Sequence, residues 1–162
     1  MTLAAPLRST LLAVADVMAP ARHDWWIVAS AALALHGVEV GDVRDVDVLI
    51  DPRDAAAVLD PLGLKPAVGR SDGRFRSDLF VTWTSAALPI ELFAGFDVFD
   101  GATWRGVIPT SREPISVGDS IIWVPSRADL HAMLLRFGRD KDIARAALLN
   151  PSDPFPSRSG SA

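Results

Sequence analysis

Val43-Arg44-Asp45-Val46-Asp47-Val48-Leu49-Ile50-Asp51 is the stretch on which the reading of this chain turns. Its apolar residues predict a buried strand, and successive side chains of a strand point to opposite faces, so Asp45 and Asp47 emerge on the same side. Neighbouring carboxylates repel and raise each other's pKa unless a cation sits between them. A divalent metal is the economical reason for placing two acids there. The plainer alternative is a strand entry with both acids on a solvated face.

The residues upstream favour the metal. Asp24-Trp25-Trp26-Ile27-Val28 predicts a short buried strand, and Ala29 to Gly37 predicts a helix begun at Ser30 and stopped by Gly37. Small residues thus occupy a turn from strand to helix, where free backbone N–H groups and the positive end of the helix dipole suit a phosphate. One element can seat a triphosphate and the next can hold its Mg²⁺.

These pieces, in this order, resemble the nucleotidyltransferase superfamily with the DNA polymerase beta-like fold, in particular its small bacterial members. The match comprises Ala29-Ser30 at the turn, Asp45-Val46-Asp47 on the next strand, and a third acid placed at Glu91 within Leu88-Pro89-Ile90-Glu91-Leu92-Phe93. A late Arg139-Asp140-Lys141-Asp142 stretch completes it. Trp25 to Leu149 is covered.

The resemblance implies an α/β (α+β) fold, a mixed twisted sheet flanked by helices. It also implies transfer of a nucleoside monophosphate from an NTP to a hydroxyl acceptor with release of pyrophosphate. Asp45, Asp47 and Glu91 would be the catalytic residues and the ligands of two Mg²⁺ ions, with Mn²⁺ as a substitute, and Ala29, Ser30 and Lys141 would contact the nucleotide. The acceptor is left open among a small molecule, an RNA end and a protein side chain. Two positions depart from the pattern. Ala29 stands where the family has Gly, whose missing Cβ lets backbone approach a phosphate, and Val43 replaces a frequent Thr. A noncatalytic relative that binds nucleotide or a partner protein is therefore the second reading.

Glu91, flanked by Ile90 and Leu92, needs a compensating cation if buried. Asp78 and Asp97 are its rivals as the third acid. Among the 16 cations only Lys65 and Lys141 are not Arg. Arg70, Arg74 and Arg76 surround Ser71-Asp72-Gly73, where planar guanidinium forks suit an anion or simply a solvated loop. Trp104, in the loop-like stretch Gly101 to Gly106, is the tryptophan considered for base stacking.

Composition bounds the rest. A chain of 162 residues with 49% hydrophobic content suits one domain, expected over residues 1–150, followed by a disordered Pro/Ser/Gly-rich tail over 151–162. Without cysteine there is no disulfide framework, and His23, His36 and His131 are too scattered to suggest a His-rich metal site. The net charge of −4 weighs against a dedicated binder of long duplex DNA. No segment reads as a membrane span, and a cytoplasmic location is expected.

Periodicity predicts an amphipathic N-terminal helix with Leu11, Leu12, Val14, Ala15 and Met18 on one face. It further predicts a helix after the Asp51 cap through Leu59, a strand over Phe75 to Trp83 pairing with Leu88 to Phe93, and a hairpin around Gly118-Asp119. A helix capped at Ser126 runs through Phe137, and an apolar one spans Ile143 to Leu149.

Overall fold

The computed structural model describes residues 2–69 and 71–149. Among them the chain order is α1 (Ala5–Met18), β1 (Trp26–Val28), α2 (Ala29–Leu35), β2 (Val46–Leu49), α3 (Ala55–Leu59), β3 (Phe75–Arg76), β4 (Leu79–Trp83), β5 (Ile90–Ala94), β6 (Asp97–Phe99), β7 (Trp104–Gly106), β8 (Glu113–Val117), β9 (Ser120–Val124), α4 (Arg127–Phe137) and α5 (Asp140–Leu148). Four strands form the central sheet in the order β1-β2-β5-β4. Its β2–β5 pair is parallel and its other two pairs are antiparallel, so the sheet is mixed. The fold is α+β with helices flanking the sheet, as the resemblance implied.

Register gives the sheet two unlike faces. Asp47 lies opposite Val28 and Glu91, and Glu91 opposite Thr82; one step along, Leu49 lies opposite Trp26 and Phe93, and Phe93 opposite Phe80. Cross-strand partners share a face, so these eight side chains stand together. The other face carries Ile27, Val46, Val48, Ile90 and Leu92, all fully buried. That apolar face belongs to the same cluster as Leu7, Leu11 and Val14 of α1 and Ala31, Leu33 and Leu35 of α2. At roughly 25 cal/mol per Å² its burial supplies the main driving force for the fold.

Local chemistry sets the element ends. Asp51 accepts from the Arg53 N–H at 2.9 Å and opens a short 3-10 turn into α3. The Ser126 hydroxyl accepts from the Asp129 N–H and caps α4. Asp142 accepts from the Arg139 N–H at 3.2 Å, so this acid is a cap of α5. After α2 the Val38 N–H reaches the Leu33 carbonyl and Gly37 takes φ +80°, a Schellman stop. Thr10 ties α1 to the sheet: it donates to the Pro6 carbonyl at 2.8 Å and accepts from the Leu88 N–H at 2.9 Å.

Three expectations need correction. Phe75 to Trp83 is two strands: Phe75–Arg76 pairs with β6 in a separate three-stranded sheet, and only Leu79–Trp83 joins the central one. Alternation runs unbroken across Ser77 and Asp78, so periodicity gave no sign of the break. Gly101 to Gly106, read as loop, contains β7. The helix expected to begin at Ser30 begins at Ala29. Arg70 and the tail over 151–162 lie outside the described residues.

Candidate active site

Asp47 on β2 and Glu91 on β5 are direct neighbours across a parallel pair, and Asp45 precedes β2 on the same face. A carboxylate oxygen from each of the three lies within 4.8 Å of the others. All three side chains are partly buried. Of the rival third acids, Asp78 is exposed and Asp97 is paired with Arg76 at 2.8 Å, so neither joins this group.

The electrostatics follow from the crowding. Asp47 is held well above the usual carboxylate range, first by burial, then by a hydrogen bond with Glu91 and the charges of Glu91 and Asp45; Lys141 opposes the rise. Asp45 is raised by burial and by Glu91, again opposed by Lys141. A proton kept on Asp47 relieves the repulsion that a bound cation would relieve instead. Three hard carboxylate groups converging at this spacing are a donor set that fits Mg²⁺ or Mn²⁺.

A cleft of about 650 Å³ opens beside these acids. Its lining includes Asp47, Glu91, Val28 and Ala29, the phenylalanines Phe75, Phe80, Phe93, Phe96 and Phe137, and the cations Arg76 and Arg139. The rings touch one another, Phe93 edge-on to Phe96 at 5.3 Å and Phe137 edge-on to Phe75 at 5.4 Å. Arg139 lies over Phe75 at 4.8 Å and pairs with Asp142.

Ala29 has φ +57°, the single non-Gly residue with positive φ among those described. The chain must leave β1 and enter α2 through the left-handed region, where a Cβ is crowded by backbone. This is a backbone reason for Gly at such a turn, additional to the approach of a phosphate.

The other expected residues are less close to the acids. Ser30 is half-buried in the first turn of α2 and does not line the cleft. Lys141 is exposed on the first turn of α5 and reaches Asp45 and Asp47 through its field. Arg74 is tied to the Phe137 carbonyl at 2.8 Å, and among the described residues of that turn Arg76 is the cation that lines the cleft. Trp104 is outside the cleft, packed on Phe99 at 5.3 Å and under Arg76 at 4.5 Å. The phenylalanine lining was missed in the sequence: Phe80 and Phe93 lie within stretches read only as strands, and an aromatic residue lining a cleft has the same sequence signal as one in the core.

The mixed sheet thus carries acid-x-acid at one strand and a third acid on its parallel neighbour, beside a strand-to-helix turn. Solved structures of similar fold are known. A Thermotoga maritima protein assigned as a nucleotidyltransferase matches with a TM-score of 0.63 at 18% identity, over 78% of this chain and 81% of that one. A nucleotidyltransferase-like antigenic protein of Paracoccidioides brasiliensis matches with 0.51 at 16% identity, over 89% and 75%. The antibiotic-resistance factor ANT(2'')-Ia matches with 0.49 at 13% identity, over 88% and 80%. No family model matches the chain, and no curated protein matches its sequence. The chain has the nucleotidyltransferase fold. No described helix is long and apolar enough to cross a membrane.

Proposed function

We propose that the chain is a divalent-metal-dependent nucleotidyltransferase that moves a nucleoside monophosphate from an NTP to a hydroxyl acceptor and releases pyrophosphate. The observation that carries this reading is the convergence of Asp45, Asp47 and Glu91 within 4.8 Å, with Asp47 and Glu91 lining an open cleft. Asp45, Asp47 and Glu91 would hold Mg²⁺, which when bound polarises the transferring phosphoryl group and neutralises charge on the attacking and leaving oxygens.

The protein's own groups do the remaining work. Glu91 accepts the proton of the acceptor hydroxyl as its oxygen bonds to the α-phosphorus and the bond to pyrophosphate breaks. The N–H groups of the Ala29–Ser30 turn would seat the phosphates where Ala29 lines the cleft, with Ser30 behind it in the first turn of α2. Lys141 adds positive field near the same acids. The phenylalanines of the cleft exclude water and offer faces to a planar base.

Calorimetry of Mg²⁺ and Mg·ATP with wild type and Asp47→Asn tests the reading. Binding by wild type and its loss in the variant is the expected result; equal binding by both refutes it. One observation favours a second reading, a noncatalytic nucleotide binder: the Ala29 methyl lines the cleft at the turn that must approach the triphosphate. Absence of transfer from any of the four labelled NTPs into a cell extract, with nucleotide binding intact, selects that reading.

A further inference from the structure

A second cleft, of about 580 Å³, lies further along the same sheet face. It shares Leu49 and Phe96 with the acid-bearing cleft, and Trp26, the cross-strand partner of Leu49, lines it. Leu49 is two residues from Asp47, so the divide between the clefts is about 7 Å from that acid. The Arg76–Asp97 ion pair spans the divide, Arg76 in one cleft and Asp97 in the other.

The second cleft contains an anchored imidazole. Asp54, 3% exposed, accepts from the His23 ring at Nδ1 (2.9 Å) and from the backbone N–H groups of Arg22 (3.1 Å) and His23 (2.9 Å). A buried carboxylate bound to Nδ1 fixes the ring in the Nδ1–H tautomer, so that Nε2 accepts in the neutral ring and donates to an anion in the imidazolium form, which the same carboxylate stabilises. His23 lines the cleft, and its Nε2 has no protein partner among the described residues.

Charge pairing sets the sign of what fits there. Each carboxylate on the rim is already engaged: Asp51 by Arg53 at 2.8 Å, Asp24 by Arg112 at 3.2 Å and Asp97 by Arg76 at 2.8 Å. Among the described residues the Arg22 guanidinium has no partner. Arg22 thus faces the cleft as a cation without a carboxylate partner among the described residues, and the imidazolium form of His23 adds an Nε2 donor beside it. The remaining wall, Trp26, Leu49, Ile50, Phe96, Val107 and Ile108, is apolar.

We propose that this second cleft is the acceptor subsite and takes a hydroxyl compound bearing a carboxylate or a phosphate on an apolar body. His23 and Arg22 hold the anion, and the body lies on Trp26 and Phe96 with its hydroxyl directed across the divide toward Glu91. The proposal rests on the nucleotidyltransferase reading, and it disfavours polycationic acceptors, for which the rim has no unengaged carboxylate. Asp54 is a positioning residue, acting through His23.

The test uses the full chain and two probes, 3-phenyllactate and phenyl phosphate, with neutral 2-phenylethanol and polycationic kanamycin as controls. Binding is followed by calorimetry and by the imidazole resonances of His23 in NMR. We expect saturable shifts of His23 with one or both anions, the tighter of the two identifying carboxylate or phosphate as the recognised group. Arg22→Ala, an exposed substitution that leaves the core untouched, should weaken the anions about 10-fold, as should His23→Gln. Failure of both anions to move His23, equal binding of 2-phenylethanol, tighter binding of kanamycin, or unchanged affinity in Arg22→Ala would each overturn the proposal. Anion binding should persist in Asp47→Asn. If wild type binds Mg·ATP but no anion, the acceptor proposal alone fails; if it binds the anions but not Mg·ATP, the enzyme reading fails and the cleft stands only as an anion site.

Discussion

Replacing Ala29 by Gly should stabilise the protein. Gly in an exposed element ordinarily destabilises, because it enlarges the conformational freedom lost on folding; at compatible positions that difference is about 0.4–1 kcal/mol. Ala29 is not at an ordinary position, since its φ of +57° costs an L-residue about 1–2 kcal/mol. Subtracting the entropic loss from the relieved strain leaves a net gain of about 0.8 kcal/mol at mid-range, between extremes of about 0 and 1.6 kcal/mol. For a chain of this size each kcal/mol moves the melting temperature by about 2–4 °C, so the expected rise is about 1–4 °C.

Urea unfolding read by tryptophan fluorescence measures the change directly, with the slope checked to confirm that the unfolded state has not altered. Metal-free conditions separate the backbone effect from any change in ligand binding. A lower midpoint for Ala29→Gly would refute the reasoning, for it would mean that the methyl contributes more by packing than it costs in strain. The same variant then reports on function. If the Ala29 methyl crowds the phosphates, Mg·ATP binds more tightly to the Gly form even after the stability gain is removed from the comparison.

Other outcomes follow from single contacts. Asp47→Asn should leave the metal-free protein as stable as wild type or more so, because it removes one of three crowded carboxyls; a marked fall in urea midpoint would contradict the like-charge argument. Thr10→Val should cost about 1–3 kcal/mol, since it leaves the Leu88 N–H unpaired, and hydrogen exchange at Leu88 should quicken. His36 is buried, its Nε2 donating to the Pro125 carbonyl at 2.7 Å, and burial lowers its pKa below 6.5. The unfolded chain therefore takes up the proton first, so stability is complete above pH 6.5 and falls as pH drops toward the lowered folded value. His36→Gln should flatten that slope in urea midpoints compared above and below pH 6.5; an unchanged slope would assign it to other groups.

The acid site was legible in the sequence because it violates the pattern around it. Asp47 and Glu91 interrupt otherwise apolar strands at alternating positions, and only a shared wet face or a cation accommodates that. The phenylalanine cleft was not legible, because an aromatic residue bordering an open cleft and one closed in the core carry the same sequence signal. Nor was the His23–Asp54 pair, whose members are 31 residues apart and lie outside any strand pairing. The short strands β6 and β7, three residues each, fall below the length at which alternation can be recognised.

Ala29 was legible as a departure, but its conformation was not, and the two facts together change what the departure means. A Gly-to-Ala exchange at a position of ordinary φ would be a change in the shape of the phosphate site alone. At φ +57° it is also a strain held in place by the elements on either side. Val28 is fixed by pairing with Asp47, and Ala31, Ala32 and Leu33 are locked in the core, so the turn between them has no slack in which to relax. The β1–β2 register that sets Val28 opposite Asp47 fixes where the chain leaves the sheet for the left-handed turn at Ala29, and the β2–β5 register sets Asp47 beside Glu91. A one-residue slip of β1 against β2 would turn Trp26 and Val28 into the apolar core and Ile27 out beside the acids. The fully buried face of Ile27, Val46, Val48, Ile90 and Leu92 forbids that slip, and so the core that orients the acid-bearing strands also holds the strained turn beside them.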